Sequence, residues 1–590
     1  MNKYLKGTAN YDKQPYISLG DKVICNVGWE DICKEIIENL ERETIKKKVI
    51  VFECYHGIND EIVLSNIQKH LKAKIYLSKE AMLTEAEIDA LVYPDVTDDA
   101  VFGYLTRLKL PQFFNTKKIS EIQNEIDSKE EGIFLIYGPG ASLICEKPDL
   151  LVYLDMPRWE IQQRFRQNKI SNLGVSNNEL KTSLQYKRAY FVDWRVLDRH
   201  KKNCMDQWDF VIDTTHNEIP KMLSGAAVLD GFERAVNQPF RVVPFFDPGP
   251  WGGQWMKEFC DLDKSEDNFA WCFDCVPEEN SLLLKAGDEL FETPSINVVF
   301  KQSKKLLGDA VQARFGDEFP IRFDFLDTMQ GGNLSLQVHP TTEYAQQEFG
   351  IPYTQDESYY MLDTGEGAHV YLGLKNDVSL SEMERDLKIS QKGEVPFEAE
   401  KYVGKWDVKK HDHVLIPAGT IHCSGINSMV LEISATPYIF TFKLWDWGRL
   451  GLDGLPRPIN IEHGIKVIDE SRTTSFVKNE LINNIHPINQ GDGWREESTG
   501  LHKREFIETR RHWFTKKVIH HTNGSVNVIN LVEGREAVVE SPSNMFEPFI
   551  VHYAETFIIP EHIKTYTISP FGESFGEECA TLKAYIRINA

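Results

Sequence analysis

Residues 331–340, "GGNLSLQVHP", combine a strand pattern with an abrupt stop. Apolar and polar side chains alternate along the stretch, in the order Leu334, Ser335, Leu336, Gln337, Val338 and His339. Because successive side chains of a strand point to opposite faces, one face is apolar and the other presents Ser, Gln and His. Pro340 has no N–H to donate, so the ladder of hydrogen bonds ends there. The stretch predicts a β-strand that delivers polar side chains to the end of a sheet.

The sequence around this strand favours β-barrels. From about residue 317 onward, short strand-like runs alternate with turn signals, which is typical of a barrel or a sandwich. The last stretch, 451–590, has the same character, and each β-rich block contains a strand that ends in Ile-Pro, at 415–417 and 558–560. We therefore expect two β-barrel domains, at 236–450 and 451–590. Two copies of one barrel type are one way to account for both.

The first 235 residues have a different pattern. Residues 30–48 carry apolar side chains at helical spacing, and apolar β-branched runs such as "KVIVFECYHG" and "DLLVYLDMP" alternate with further helical patterns. Short buried strands that alternate with helices indicate a parallel sheet covered on both faces. The predicted fold class is therefore multidomain, with an α/β parallel-sheet domain at 1–235 ahead of the two barrels.

Composition excludes several classes of function. The chain has 590 residues, 42% of them hydrophobic, and a formal net charge of −23. This charge argues against nucleic acid or an anionic membrane as a partner, and no run of 18 apolar residues indicates a transmembrane helix. The ten cysteines are scattered, which favours reduced thiols in the cytoplasm. Cys272 and Cys275 lack the second pair that a zinc ribbon needs, so we expect two thiols in a strand.

The polar face of the first strand forms half of a candidate metal site. Gln337 and His339 are two same-face ligands, and two later segments are suited to supply the rest. Glu357 precedes an apolar strand, and "HDHVLIPAGTIHCSG" gives a strand, a tight Pro-Ala-Gly turn and then His422. Imidazole and carboxylate suit Zn²⁺. The alternative is that each histidine is an ordinary core or rim residue. We expect His411 and His413, which flank Asp412, to be rim residues.

Several motifs in order resemble one enzyme family. "PWGGQW", "GGNLSLQVHP", "QDESYYMLD", "IPAGTIH" and "WDWGR" resemble segments of the type I mannose-6-phosphate isomerases, zinc enzymes of the cupin superfamily, and the resemblance covers about 240–590. It implies two cupin (jelly-roll) barrels and one Zn²⁺ per chain. It also implies that the zinc ligands are Gln337, His339, Glu357 and His422.

The resemblance also implies a substrate site. Lys443 and Arg449 are the cations available to bind a phosphate or to stabilise an enediolate, and Glu432 matches a glutamate of the family. The alternative role for Glu432 is a barrel-wall residue in an ion pair. Trp251 and Ser335 are candidates to line the sugar pocket, although Trp251 is equally suited to the core.

Three positions depart from the family pattern. Gln355 and Asp324 stand where relatives have lysine, and Lys443 stands where they have the catalytic arginine. Exchange of arginine for lysine loses the bidentate fork, so it is not neutral at a phosphate or an enediolate.

The first domain resembles the P-loop nucleoside kinases of the uridine-kinase type, with a degenerate phosphate loop. "VIVFECYHGINDE" occupies the place of the loop but lacks the Lys and the Ser/Thr that hold phosphate and Mg²⁺. "YLDMPRWEIQQRFRQNK" resembles the strand and lid helix of these kinases, with Arg164 and Arg166. We expect a role in regulation, docking or oligomerisation.

The function that follows is a zinc-dependent aldose–ketose isomerase, with mannose 6-phosphate and fructose 6-phosphate as the leading pair. Such an enzyme moves a proton between C1 and C2 and stabilises an enediolate. A catalytically impaired sugar-phosphate sensor and an isomerase of a different phosphosugar remain open. We expect a small phosphosugar as the partner, and the sequence does not indicate an oligomeric state.

Overall fold

The computed structural model describes residues 9–42, 46–393, 395–435, 440–450, 459–500 and 505–588. They form a mixed α/β protein with several sheets. No helix in these ranges is both long and apolar enough to cross a membrane.

The N-terminal region contains alternating strands and helices. Its strands are β1 (Tyr16–Gly20), β2 (Asn26–Val27), β3 (Lys47–Cys54), β4 (Lys74–Leu77), β5 (Gly132–Gly138), β6 (Leu150–Asp155), β7 (Phe210–Asp213) and β8 (Lys221–Ser224). Its α-helices are α1 (Gly28–Glu41), α2 (Asp60–His70), α3 (Glu85–Val96), α4 (Thr116–Asp127), α5 (Ala141–Ile144), α6 (Arg158–Arg166), α7 (Thr182–Arg188), α8 (Trp194–Cys204) and α9 (Gly225–Ala235).

The strands β2 to β8 build one seven-stranded sheet in the order β2-β8-β7-β6-β3-β5-β4, and β1 belongs to another sheet. Strands β7, β6, β3, β5 and β4 are mutually parallel, and β8 and β2 extend one edge in antiparallel fashion. The predicted parallel sheet is therefore present. The predicted helix over 30–48 is wrong at its end, because α1 stops at Glu41 and the lysines at 47 and 48 begin the buried strand β3.

The segment expected to resemble a phosphate loop connects β3 to α2. Gly57 adopts a left-handed backbone with φ of 87°, and its carbonyl oxygen accepts a hydrogen bond from Arg164 Nη1 at 2.9 Å. Arg166 makes a bidentate pair with Asp247, with both N···O distances at 2.8 Å. Both arginines of the predicted lid helix are thus engaged by protein groups, and the kinase resemblance stays a prediction.

The middle region is built from antiparallel sheets. Its strands are β9 (Phe245–Asp247), β10 (Trp271–Cys275), β11 (Ser281–Ala286), β12 (Glu289–Pro294), β13 (Arg322–Asp327), β14 (Leu336–Val338), β15 (Glu357–Thr364), β16 (His369–Leu374), β17 (Val403–Asp407), β18 (His413–Ile416), β19 (His422–Ser424), β20 (Ser428–Ser434) and β21 (Phe442–Trp445). Its helices are α10 (Trp255–Phe259), α11 (Ile296–Leu307), α12 (Asp309–Phe315), α13 (Thr342–Phe349), α14 (Leu380–Gln391) and α15 (Ala399–Tyr402). Two sheets, β18-β15-β20-β13-β10-β9 and β17-β16-β19-β14-β21, enclose the candidate site. Cys272 and Cys275 are free, buried thiols of β10, as expected.

The C-terminal region adds a second pair of sheets. Two helices, α16 (Ile461–Val467) and α17 (Thr474–Phe476), precede them. The strands are β22 (His486–Gly491), β23 (Trp494–Ser498), β24 (Ile507–Phe514), β25 (Val518–His521), β26 (Asn527–Glu533), β27 (Glu536–Glu540), β28 (Phe549–His552), β29 (Thr556–Ile559), β30 (Thr565–Pro570) and β31 (Cys579–Ile586). The sheets β22-β23-β24-β31-β26-β29 and β25-β30-β27-β28 share a buried apolar core.

The three regions are joined by shared structure. Strand β1 pairs in parallel with β11, so a sheet crosses the predicted boundary at 235. Arg241 contacts Glu555 at 2.8 Å and Asp274 at 3.4 Å, and Asp274 also accepts a hydrogen bond from Tyr11. Arg241, Asp274 and Glu555 are buried, so removal of one partner would leave an uncompensated charge in the interior. The boundaries at 235 and 450 stay predictions, and residues 451–458 lie outside the described residues.

His413 is not the rim residue that the sequence suggests. Its side chain is 1% exposed, and its Nε2 lies 2.9 Å from Ser358 Oγ. Burial, together with the positive charge of Arg511, lowers the pKa of His413 to about 3. The imidazole therefore stays neutral in the folded protein across the physiological range.

We predict that His413 makes the protein less stable in mild acid. Below about pH 6.5 the unfolded chain binds a proton at this residue and the folded chain does not, so the free energy of unfolding falls with falling pH. Between pH 7 and 5 this single group removes about 2 kcal/mol. His413→Gln should flatten the pH dependence by that amount, measured by chemical denaturation. Ser358→Ala keeps the imidazole and should keep the slope; an unchanged slope in His413→Gln would contradict the assignment.

Candidate metal centre

Three side chains that the sequence places far apart meet between the two sheets of the middle region. His339 directly follows β14, His422 begins β19, and Glu357 begins β15 in the opposite sheet. All three are fully buried, and one potential ligand atom from each lies within 4.8 Å of the others. We call this trio the metal group.

The turn before β19 aims His422. Thr420 N–H donates to Pro417 O at 3.1 Å, and Gly419 N–H donates to the carbonyl of His339 at 3.0 Å. Gly419 has φ of 85°, and a Cβ there would lie 3.0 Å from the carbonyl oxygen of Val467. A glycine therefore suits both the backbone conformation and the space. The turn predicted from "IPAGTIH" thus ties one histidine strand to the other.

Both histidines have one ring nitrogen fixed by the backbone. His339 Nδ1 lies 2.6 Å from Phe440 O, and His422 Nδ1 lies 2.9 Å from Thr420 O. Because a carbonyl oxygen only accepts hydrogen bonds, each Nδ1 carries the proton. In the neutral tautomer, each Nε2 therefore presents a lone pair.

These lone pairs face the carboxylate of Glu357. His339 Nε2 lies 3.1 Å from Glu357 Oε2, and His422 Nε2 lies 2.8 Å from Oε1. Among the described residues, His339 Nε2 and Glu357 Oε1 are buried without a hydrogen bond. Acceptors that face acceptors in a buried site need a cation between them, supplied by protonated imidazole or by a metal ion. The donor set and its unsatisfied atoms fit a metal ion.

The charges of the metal group depend on one another. Burial disfavours the carboxylate of Glu357, but His339 and His422 outweigh burial and hold its pKa well below the usual range. Burial also disfavours the imidazolium of His339, but Glu357 outweighs it and raises the pKa.

Two glutamines connect the metal group to its surroundings. The amide of Gln337, the fourth predicted ligand, lies 3.2 Å from His422 Nε2, and rotation of this amide by half a turn would present its carbonyl oxygen instead. Gln355 Nε2 donates to Glu357 Oε2 at 2.8 Å, and Gln355 Oε1 accepts from Phe440 N–H at 3.1 Å. Gln355 therefore positions the carboxylate.

A cavity of about 270 Å³ adjoins the metal group. Its described lining residues are Trp251, Trp271, Phe273, Arg322, Asp324, Leu326, Leu334, Ser335, Gln337, Gln355, Glu432, Thr441 and Lys443. Gln337 and Gln355 thus line the cavity and bond to the metal group at the same time. A molecule bound in the cavity would lie beside the metal group.

Two rows of polar side chains face each other across this cavity. In one sheet Lys443, Gln337 and His422 are register partners on β21, β14 and β19. In the other sheet Asp324, Glu432 and Tyr359 are partners on β13, β20 and β15. Register partners on adjacent strands point to the same face, so each row presents its functional groups together.

Burial changes the acidity of the cavity carboxyls. Burial raises the pKa of Asp324 to about 7, with Arg322 opposing the shift and Glu357 adding to it. Burial, then Asp324 and Glu357, raises the pKa of Glu432 well above its usual value. Two neighbouring carboxyls whose pKa values are raised by burial are suited to proton transfer.

The predicted substrate residues have different environments. Trp251 lines the cavity and packs edge-on against Trp271, with ring centroids 4.7 Å apart. Ser335 also lines the cavity, and its hydroxyl donates to Asp446 Oδ1 at 2.6 Å. Arg449 contacts the same carboxylate oxygen at 2.5 Å and is not among the described lining residues. Lys443 lies in the cavity wall, and these substrate roles stay predictions.

Sequence reasoning missed Arg322 and Tyr359. Arg322 stands two residues before Asp324, and Tyr359 stands two residues after Glu357, so strand alternation places each on the same face as a residue already singled out. The hydroxyl of Tyr359 is buried and has no hydrogen bond within the described residues. The same alternation that identified Gln337 and His339 was therefore a sufficient signal.

Comparison with known proteins finds mannose-6-phosphate isomerases. The chain is 24% identical over 240 residues to mannose-6-phosphate isomerase ManA of Bacillus subtilis, a match that covers 39% of this chain and 68% of that protein. It is 26% identical over 227 residues to the mannose-6-phosphate isomerase of Streptococcus mutans, which covers 37% and 64%. The crystal structure of the mannose 6-phosphate isomerase from Bacillus subtilis aligns with 59% of this chain and 99% of that one, at 16% identity and a TM-score of 0.48.

The N-terminal region matches a different family. Residues 28–237 match the model of a domain of unknown function, DUF8485. This match begins at the first residue of α1 and ends two residues after α9.

We predict that removal of His422 empties the metal centre. His422→Ala should weaken binding of a divalent metal by more than the roughly 10–100-fold that loss of an outer-shell partner costs. Metal content by elemental analysis and affinity by competition with a chelator measure the effect. His413→Ala removes another buried histidine outside the metal group and should keep wild-type affinity. A His422→Ala protein with wild-type affinity would remove this residue from the ligand set.

Proposed function

We propose that the protein is a zinc-dependent aldose–ketose isomerase that interconverts mannose 6-phosphate and fructose 6-phosphate. The observation that carries the proposal is the link between cavity and metal group, in which Gln337 and Gln355 belong to both. The similarity to curated mannose-6-phosphate isomerases supports the reaction class.

The ligand set supports zinc as the metal. Two neutral imidazoles and one carboxylate, His339, His422 and Glu357, are typical of Zn²⁺, and Gln337 is the proposed fourth ligand. One ion per chain would polarise the oxygens of a bound sugar and offset the negative charge that develops on them. Two cupin barrels are the proposed fold of the middle and C-terminal regions.

We assign proton transfer to Glu432. Its carboxyl lines the cavity, is a register partner of Asp324, and lies close enough to Glu357 for their charges to interact. In this role Glu432 removes the proton from one carbon of the sugar and returns it to the next. Asp324, on the adjacent strand, is placed to accept a hydrogen bond from it or to exchange its proton.

We assign substrate binding to the walls of the cavity. Lys443 offers a cation to the phosphate or to the enediolate, and Trp251 and Ser335 shape the sugar pocket. Arg449 acts as a second cation through Asp446, whose carboxylate it shares with Ser335. A small phosphosugar is thus the proposed partner, and the ten free thiols support a cytoplasmic location.

One observation favours a second candidate function. Gln355 stands where the resemblance expects lysine, and its amide is committed to Glu357 and Phe440. A site that keeps its metal group and has lost a cation is suited to a sugar-phosphate sensor or to an isomerase of another phosphosugar. We propose that the N-terminal region is a degenerate kinase fold. In the sensor alternative, this region serves regulation or docking.

A substrate panel in D₂O tests the proposal. Zinc-loaded protein should convert mannose 6-phosphate into fructose 6-phosphate and place deuterium at C1 of the ketose, because a protein carboxyl exchanges its proton with solvent. The reverse reaction should place deuterium at C2 of the aldose. Glu432→Gln should lower kcat by about 10²–10⁴-fold without loss of zinc. Glu561→Gln, at a buried glutamate of the C-terminal region, is the control and should keep full activity.

Two results would decide against the proposal. Turnover of a pentose phosphate in preference to mannose 6-phosphate would assign a different phosphosugar. Zinc and phosphosugar binding without product or deuterium exchange would leave the sensor as the function.

A further inference from the structure

The peptide groups of Phe440 support two members of the metal group at once. Its carbonyl oxygen fixes Nδ1 of His339 at 2.6 Å. Its N–H holds Gln355 at 3.1 Å, and Gln355 in turn donates to Glu357 at 2.8 Å. A displacement of Phe440 would therefore move a histidine and the carboxylate together.

The ring of Phe440 packs against a residue of the N-terminal region. Phe102 stacks on Phe440 with centroids 5.5 Å apart and an interplanar angle of 19°. Phe102 also contacts the rings of Phe349 at 5.1 Å and Phe442 at 5.2 Å. Phe102 is 1% exposed and Phe440 is fully buried, so close packing transmits a shift of one ring to the other.

Phe102 is held in place from both regions. Asp99 Oδ1 accepts the N–H groups of Val101 and Phe102, both at 2.7 Å, and so shapes the turn that carries the ring. Asp99 Oδ2 lies 3.1 Å from Nε2 of His463, a residue of helix α16. Leu105 N–H donates to Phe349 O at 2.8 Å. The segment from Asp99 to Leu105 is thus anchored on both sides of the ring.

We propose that Phe102 is a positioning residue of the metal centre, supplied by the N-terminal region. It holds the Phe440 peptide in place, and the peptide holds His339 and, through Gln355, Glu357 at the spacing that one ion requires. This inference rests on the proposed metal centre. The partners behind a metal ligand typically change affinity by about 10–100-fold when they are removed, and a shift of about 0.5 Å is enough to loosen such a site.

Zinc affinity of full-length variants tests the proposal without an activity assay. Phe102→Ala should bind Zn²⁺ about 10–100-fold more weakly than the wild type in competition with a chelator. Phe102→Leu keeps most of the side-chain volume, so its Zn²⁺ affinity should lie between those of the wild type and Phe102→Ala. Co²⁺ substitution should show a changed d–d absorption in the same order, because the coordination geometry changes.

Phe113→Ala is the matched control. Phe113 is fully buried in the same region and makes no ring contact with Phe440 in the part of the chain that the structure describes. The Phe113→Ala protein should be less stable than the wild type and should keep wild-type zinc affinity.

Each outcome decides the proposal. If Phe102→Ala does not fold, Phe102→Leu carries the test, and a several-fold loss of affinity supports positioning. Wild-type affinity in a folded Phe102 variant, or an equal loss in Phe113→Ala, would overturn the proposal and leave the metal centre intact. A wild-type protein that binds no zinc would overturn the metal centre and this inference together.

Discussion

The arrangement of the candidate site depends on one electrostatic conflict. The Nε2 lone pairs of His339 and His422 face the carboxylate of Glu357 in a fully buried space. Backbone carbonyls at Phe440 and Thr420 fix the opposite ring nitrogens, so neither neutral imidazole can turn a proton toward the carboxylate without losing a hydrogen bond. A cation between these acceptors would remove the repulsion. The strands that carry the three residues place this cation position at the end of a cavity.

Gln355 and Asp324 stand where the resemblance to mannose-6-phosphate isomerases leads us to expect lysine, and each has a different role beside the metal group. Gln355 replaces an expected lysine and becomes an amide bridge between Phe440 and Glu357. Asp324, also at an expected lysine position, joins Glu432 in a row of carboxyls whose pKa values burial raises. The first position thus carries a neutral amide and the second a carboxyl, while Lys443 and Arg322 keep cations in the cavity wall.

Local sequence patterns predicted the parts of the site that depend on local rules. Alternation placed Gln337 and His339 on one face, and turn chemistry at 417–420 aimed His422, because strand period and turn geometry are properties of a few consecutive residues. Glu357 was a candidate because it precedes an apolar strand, but local patterns do not show that the opposite sheet brings it to the two histidines. The stacking of Phe102 on Phe440 and the pairing of β1 with β11 had no local signal, since tertiary packing alone chooses those partners. His413 was misjudged for the same reason, because the sequence does not show what covers it.

Anomalous X-ray diffraction at the zinc absorption edge, from crystals of the wild-type protein, tests the central claim most directly. The account predicts one strong peak per chain, within about 2.0–2.2 Å of His339 Nε2, His422 Nε2 and an oxygen of Glu357. A peak elsewhere, or fully zinc-equilibrated crystals in which the imidazoles contact Glu357 directly with no peak between them, would contradict it.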